Sequence, residues 1–241
     1  MPLYKTSQWH YFCKTFFHMK NAIYTTLKLS KFGPMINFIK SVYSGLCIGL
    51  GGTAFLSCDN KILGSFLFGL GLFTILNFGF NLFTGKVGYF VNKKPNYWGF
   101  LTIVWLGNFV GTFLFAQMIA ATRYGAALQA KANALCVIKD GDSPLSLLVL
   151  GIFCGMLMFI AADGYKTIEN QVGKVFTVFL PVMVFILSGF EHCIADMFYF
   201  SLASDFSLTM FKALLAITIG NTIGGGLIPL MQKLKDKAPN I

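Results

Sequence analysis

Ser188-Gly189-Phe190-Glu191-His192-Cys193-Ile194-Ala195-Asp196-Met197 directly follows Val175–Leu187, a run that carries no charge. Glu191, His192 and Asp196 therefore lie at the end of a stretch apolar enough to sit in a bilayer. Ionisable side chains at that depth are costly, so they face a cavity, a partner or a path for substrate. Gly189 stands beside them, and a spanning helix can break only where its freed backbone groups are buried in protein or line a polar cavity. The stretch reads as a broken membrane helix with a histidine at the break.

The composition around it agrees. Of the 241 residues 56% are apolar and 12% charged, whereas a soluble domain carries about a quarter charged residues. Weakly charged runs fall at residues 41–58, 62–85, 97–122, 145–162, 175–190 and 208–232, each near the ~20 residues of a bilayer crossing. A soluble helical bundle would need a polar face on each run, and the runs have none. If the N-terminus is inside, fourteen of the 19 basic residues lie on the inner face and five outside, namely Lys61, Arg123, Lys131, Lys139 and Lys212. The positive-inside rule then puts both termini in the cytoplasm. The net charge of +10 reads as topology and lipid contact, not as nucleic-acid binding. The six cysteines are scattered without the paired spacing of a zinc site, so they read as small core residues. No metal or cofactor is expected.

Residues 1–34 are aromatic and basic, without a signal peptide's apolar core and small-residue cleavage site. Two readings stay open: a cytoplasmic helix lying on anionic lipid, or a stretch upstream of a start at Met35. The chain divides accordingly into a basic extension, 1–34, and a membrane domain, 35–241.

Within that domain the second half repeats marks of the first. Gly45-x-x-x-Gly49 recurs as Gly151-x-x-x-Gly155, Gly79-Phe80-Asn81 as Gly189-Phe190-Glu191, and Gly107-Asn108-x-x-Gly111 as Gly220-Asn221-x-x-Gly224, at offsets of 106, 110 and 113 residues. Glycines four apart let membrane helices approach closely. With three spans per unit, the second copy enters from the opposite side. The fold class is thus an all-α integral membrane protein of six spans in an inverted 3+3 repeat, with the second and fifth helices broken and meeting near the midplane.

These motifs bring the chain close to a known family. Phe185-Ile-Leu-Ser-Gly-Phe-Glu-His-Cys-Ile-Ala-Asp-Met-Phe198 resembles the fifth-span signature of the formate/nitrite transporter family, Asn81-Leu-Phe-Thr-Gly85 its second-span loop, and Gly220-Asn-Thr-Ile-Gly-Gly225 its sixth span. The resemblance covers roughly Met35 to Leu234. It implies an aquaporin-like fold, a homopentamer with one pore per protomer in the plasma membrane, and passage of formate, nitrite, acetate, lactate or hydrosulfide together with protons. By position, it implies His192 as the central pore histidine, Thr84 as its hydroxyl neighbour, Leu82 and Leu72 in the inner constriction, Phe68 and Phe185 in the outer one, and Lys139 as the vestibule lysine. Glu191, Asn81, Asp196, Asn108 and Asn221 are supporting residues. Gly155 replaces the family's common Asn beside the histidine, Asn81 an acidic or small residue, and Asp196 a frequent Asn. The chain reads as a divergent branch.

From the residues alone, His192 is either a buried core histidine or a pore element, and Thr84 either a helix-bending hydroxyl or a pore ligand. Glu191 and Asp196 are expected to bond loop N–H groups or to face a neighbouring subunit. Lys139 by itself reads as an ordinary loop lysine; in the role the resemblance implies, it would attract the anion, whose crossing of the apolar constriction needs protonation, through His192 or from water. Two other classes compete with a pore. A membrane enzyme would use Glu191, His192 and Cys193, although consecutive helical residues point about 100° apart and cannot converge on one ion. A non-transporting structural membrane protein is the remaining class.

Overall fold

The computed structural model describes residues 32–237. Every regular element among them is a helix: α1 (Phe32–Ser57), α2 (Lys61–Phe78), α3 (Phe83–Val87), a 3-10 turn (Gly88–Asn92), α4 (Tyr97–Ala120), α5 (Gly125–Asp140), α6 (Pro144–Thr167), α7 (Gln171–Ser188), α8 (Cys193–Ala203) and α9 (Leu208–Lys235). Six of these, α1, α2, α4, α6, α7 and α9, are long and apolar enough to cross a membrane. The second and fifth spans are broken, into α2 with α3 and α7 with α8. Most of the reading of residues 1–34 lies outside the described residues, and α1 runs through the boundary at Met35.

Large apolar side chains such as Ile62, Leu70, Met118, Phe176 and Leu215 stand exposed on the outer faces of the spans, as the acyl phase or neighbouring copies require. Short polar caps start the helices. Asn60 Oδ1 accepts from the Leu63 N–H at 3.0 Å and Asn170 Oδ1 from the Gly173 N–H at 2.9 Å, each satisfying an orphan donor of a first turn. These caps are 110 residues apart, and so are the starts and ends of α2 and α7.

That offset corrects the register of the repeat. The sequence pairs Gly45 with Gly151. In the structure, Gly45 lies against the carbonyl of Asn108, and the residue lying against the carbonyl of Asn221 is Gly155. Gly45 and Gly155 are therefore the equivalent pair, one helical turn away from the sequence pairing. The same 110-residue offset links Val42 with Ile152, whose carbonyls press on Gly111 and Gly224.

Gly155 also answers for the missing family Asn. A Cβ on Gly155 would overlap the carbonyl oxygen of Asn221, so no side chain fits between α6 and α9 as they stand. Gly155→Asn is expected to force the two helices apart at a cost of about 1–3 kcal/mol. Thermal unfolding of the detergent-extracted protein should show a lowered midpoint. Gly99→Ala, at a position with nothing within 4 Å, should leave it unchanged.

Candidate pore site

Both helix breaks are built alike. Gly79 (φ 65°) and Gly189 (φ 72°) end α2 and α7 in the left-handed conformation, which glycine adopts without the penalty a Cβ brings. Just beyond, the Phe80 N–H donates to the Ile75 carbonyl at 3.0 Å and the Phe190 N–H to the Phe185 carbonyl at 2.9 Å. The chain then crosses extended to the half-helices α3 and α8.

Two buried asparagines satisfy the backbone that the breaks leave open. Asn108 Oδ1 accepts from the Phe83 N–H, and its Nδ2 donates to the carbonyls of Ser41 and Asn81, all at 2.8 Å. Asn221 Oδ1 accepts from the Cys193 N–H at 2.9 Å, and its Nδ2 donates to the carbonyls of Gly151 and Glu191 at 2.8 Å. Each side chain is a three-bond clip pinning a loop between two spans. Asn81 itself is buried, and its Nδ2 donates to the Asn37 carbonyl at 3.4 Å.

Between the breaks, Thr84 on α3 meets His192, with Oγ1 to Nε2 2.8 Å apart. His192 also caps α8: its Nδ1 accepts from the Ala195 N–H at 3.0 Å. A nitrogen that accepts carries no proton, so Nδ1 is bare and Nε2 bears the hydrogen of a neutral imidazole. Nε2–H then donates to Thr84 Oγ1, and the Thr84 hydroxyl hydrogen is left to another acceptor. Taking up a second proton at Nδ1 would cost the α8 cap.

The aromatic and aliphatic residues close in around this bond. Phe185 stacks on the His192 ring at 5.6 Å and meets Phe68 edge-on at 5.7 Å. Phe68, Phe185, Leu72 and Leu82 are all buried. On one side of them a cavity of about 240 Å³ is lined by Phe185, His192, Lys139, Glu191, Asp196 and Tyr199, among others. On the other side a cavity of about 300 Å³ is lined by Leu72, Leu82, Lys86, Lys166 and Lys174, among others. The apolar neck between them holds one polar pair, Thr84 and His192.

Lys139 departs from the expected arrangement. Its ammonium is buried and pairs with Glu191 Oε2 and, at 3.0 Å, with Asp196 Oδ1. The carboxylates thus bond a lysine of the same chain instead of loop N–H groups; it is the Glu191 backbone that ties the loop down, its N–H donating to the Leu150 carbonyl at 3.4 Å and its carbonyl accepting from Asn221. Burial works against the lysine's charge, but the carboxylate charge facing it outweighs burial and holds its pKa above the ordinary value. Nothing at position 155 reaches His192, whose ring is held by Thr84 and Ala195.

Glu191, His192 and Cys193 point to different partners. Glu191 is engaged by Lys139, His192 by Thr84, and Cys193 is fully buried in the core. α5, which carries Lys139, falls between the third and fourth spans and is not itself long and apolar enough to cross a membrane. Its Ala-rich stretch, Ala126-Ala-Leu-Gln-Ala-Lys-Ala-Asn-Ala-Leu135, consists almost wholly of strong helix formers and is the signal that marks it as a helix.

The family model described as Formate/nitrite transporter matches residues 18–233, beginning upstream of the Met35 at which the sequence resemblance starts. The chain is 30% identical over 204 residues to the formate channel FocA of Escherichia coli, covering 70% of this chain and 71% of that one. It is 24% identical over 243 residues to the formate channel FocA of Haemophilus influenzae, covering 80% and 84%. A solved structure described as a pentameric formate channel with formate bound superposes with a TM-score of 0.71 at 24% identity, over 86% of this chain and 98% of the other. The broken second and fifth spans, the paired asparagine clips and this breadth of match agree: the chain belongs to the formate/nitrite transporter family.

Proposed function

We propose that the chain is a pore for small monovalent anions of weak acids, formate first, which cross the neck as the neutral acid. The observation that carries this reading is a pair of cavities, one lined by Lys86, Lys166 and Lys174 and the other holding the Lys139–Glu191–Asp196 cluster, separated by an apolar neck whose polar side chains among the described residues are Thr84 and His192. An unpaired anion in such a neck costs several kcal/mol even after relaxation, and protonation removes most of that cost. Thr84, its oxygen held by the imidazole, offers its hydroxyl hydrogen to the passing acid. The cavity with Lys86, Lys166 and Lys174 is the inner vestibule of this reading and the Lys139 cavity the outer one, with both termini cytoplasmic.

Anion recruitment by Lys139 alone does not fit the geometry, since two carboxylates face its single charge. Assembly as a homopentamer in the plasma membrane is part of the proposal, supported by the described pentameric neighbour. An enzymatic role is disfavoured because Glu191, His192 and Cys193 diverge. The test is stopped-flow flux in proteoliposomes over formate, nitrite, acetate, lactate and hydrosulfide. Formate entry with internal proton gain, above that of protein-free vesicles, is the expected result. No flux of any of the five would sink the pore reading and leave the non-transporting one.

A further inference from the structure

The Lys139 cluster does not balance. One ammonium faces two carboxylates, and with Glu191 and Asp196 both ionised the group carries a net charge of −1 in a buried site. Asp196 is 1% exposed, and its Oδ2 is buried with no hydrogen-bond partner although the residue lines the cavity. A bare carboxylate oxygen buried in this way is costly, and a proton on it removes both the surplus charge and most of the desolvation cost. Lys61 lines the same cavity but is exposed, and its Nζ donates to the Leu187 carbonyl at 3.5 Å. Among the described residues, the titratable groups that act on Asp196 supply no second cation. They are Lys139 and Cys136 from α5, Cys154 from α6, Glu191 and His192 from the α7–α8 link, and Cys193 and Tyr199 from α8, with Asp140 and Asp205 farther out. His192 adds no charge, because its Nδ1 accepts from Ala195.

We propose that the Lys139–Glu191–Asp196 cluster rests with one proton on Asp196 and that Asp196 is the acid that protonates the anion in this cavity. The step balances. The Asp196 O–H bond breaks, an O–H bond forms on the carboxylate or nitrite oxygen of the substrate, and the neutral acid leaves toward the neck. The cluster is then at −1 and recovers its proton from water on the side to which the cavity opens, returning to neutrality. The position thereby sets the pore's coupling to protons, and an Asn there would form a neutral cluster with nothing to give.

This inference rests on the pore reading, but one arm of its test does not. Infrared difference spectra of the wild-type oligomer in H2O and D2O at neutral pH should show the C=O stretch of a protonated carboxyl group. Asp196→Asn should remove that band while leaving the oligomer assembled, since Lys139 and Glu191 then pair one to one. In proteoliposomes the Asp196→Asn variant should lose formate flux at neutral pH by about a hundredfold, the low end of what a positioned acid contributes. It should approach wild type at a pH where the acid is already neutral in solution. Absence of the band in the wild type, or its persistence in Asp196→Asn, overturns the resting proton. A band that disappears with an unchanged pH–flux profile overturns the transfer step. A band in a protein that carries none of the five substrates defeats the pore reading while the charge count stands.

Discussion

Replacing Asn221 with Leu is expected to abolish assembly of the proposed homopentamer. The amide is fully buried and makes three bonds, one accepted from the Cys193 N–H and two donated to the carbonyls of Gly151 and Glu191. Leu fills a similar volume but satisfies none of them. Each buried backbone group left without a partner costs about 1–3 kcal/mol, so the three together cost roughly 3–9 kcal/mol, against a typical domain stability of about 5–15 kcal/mol. Asn108→Leu should do the same damage, because Asn108 makes the equivalent three bonds to Phe83, Ser41 and Asn81. Thr222→Val is the comparison: it sits one residue along the same helix and loses only a bond to the Thr218 carbonyl. Size-exclusion profiles and thermal unfolding of detergent extracts decide the matter. An Asn221→Leu oligomer as stable as Thr222→Val would mean that the clip is not what holds the break.

The breaks themselves were legible because their signal is local. A glycine that must adopt positive φ, followed by a polar residue inside an apolar run, marks Gly79 and Gly189 without any knowledge of what packs against them. The register of the first match was not, for a physical reason. Gly45 and Gly49 in one span, and Gly151 and Gly155 in the other, offer two equally spaced small residues each, so sequence aligns them in either of two ways one turn apart. What decides between them is which glycine lies on the carbonyl of the clipping asparagine, a contact made across the bundle. The salt-bridged cluster was hidden for the same reason: Lys139 and Glu191 are 52 residues apart and on different elements, and no periodicity connects them. Thr84 and His192, 108 residues apart, were paired only through family resemblance: the break singles out His192 by itself, but Thr84 alone reads equally well as a helix-bending hydroxyl. Local chemistry in this chain announces where helices stop. Pairing across the repeat has to be seen.

His192→Phe is expected to leave flux indistinguishable from empty vesicles, whereas His192→Asn should stay open with the wild-type pH profile. The ring has two engagements, Nε2–H to Thr84 and Nδ1 from Ala195. Phenylalanine keeps the planar bulk against Phe185 but forfeits both bonds, so α8 loses its cap and Thr84, left as the neck's single polar side chain, is no longer held by the imidazole. Asparagine is among the best N-cap residues, and its carbonyl can take the Ala195 N–H, so α8 keeps its start. What is lost is one hydrogen bond to Thr84, worth about 0.5–1.5 kcal/mol, which corresponds to a several-fold fall in flux. The pH profile is the decisive reading. With Nδ1 committed to a backbone N–H, the imidazole stays neutral through a transport cycle and contributes no titration, so removing it leaves the midpoint of the pH–flux curve where it was. A curve flattened by His192→Asn in an oligomer that assembles normally would show that the histidine takes up a proton in spite of its cap, and the role given to Asp196 would pass back to it.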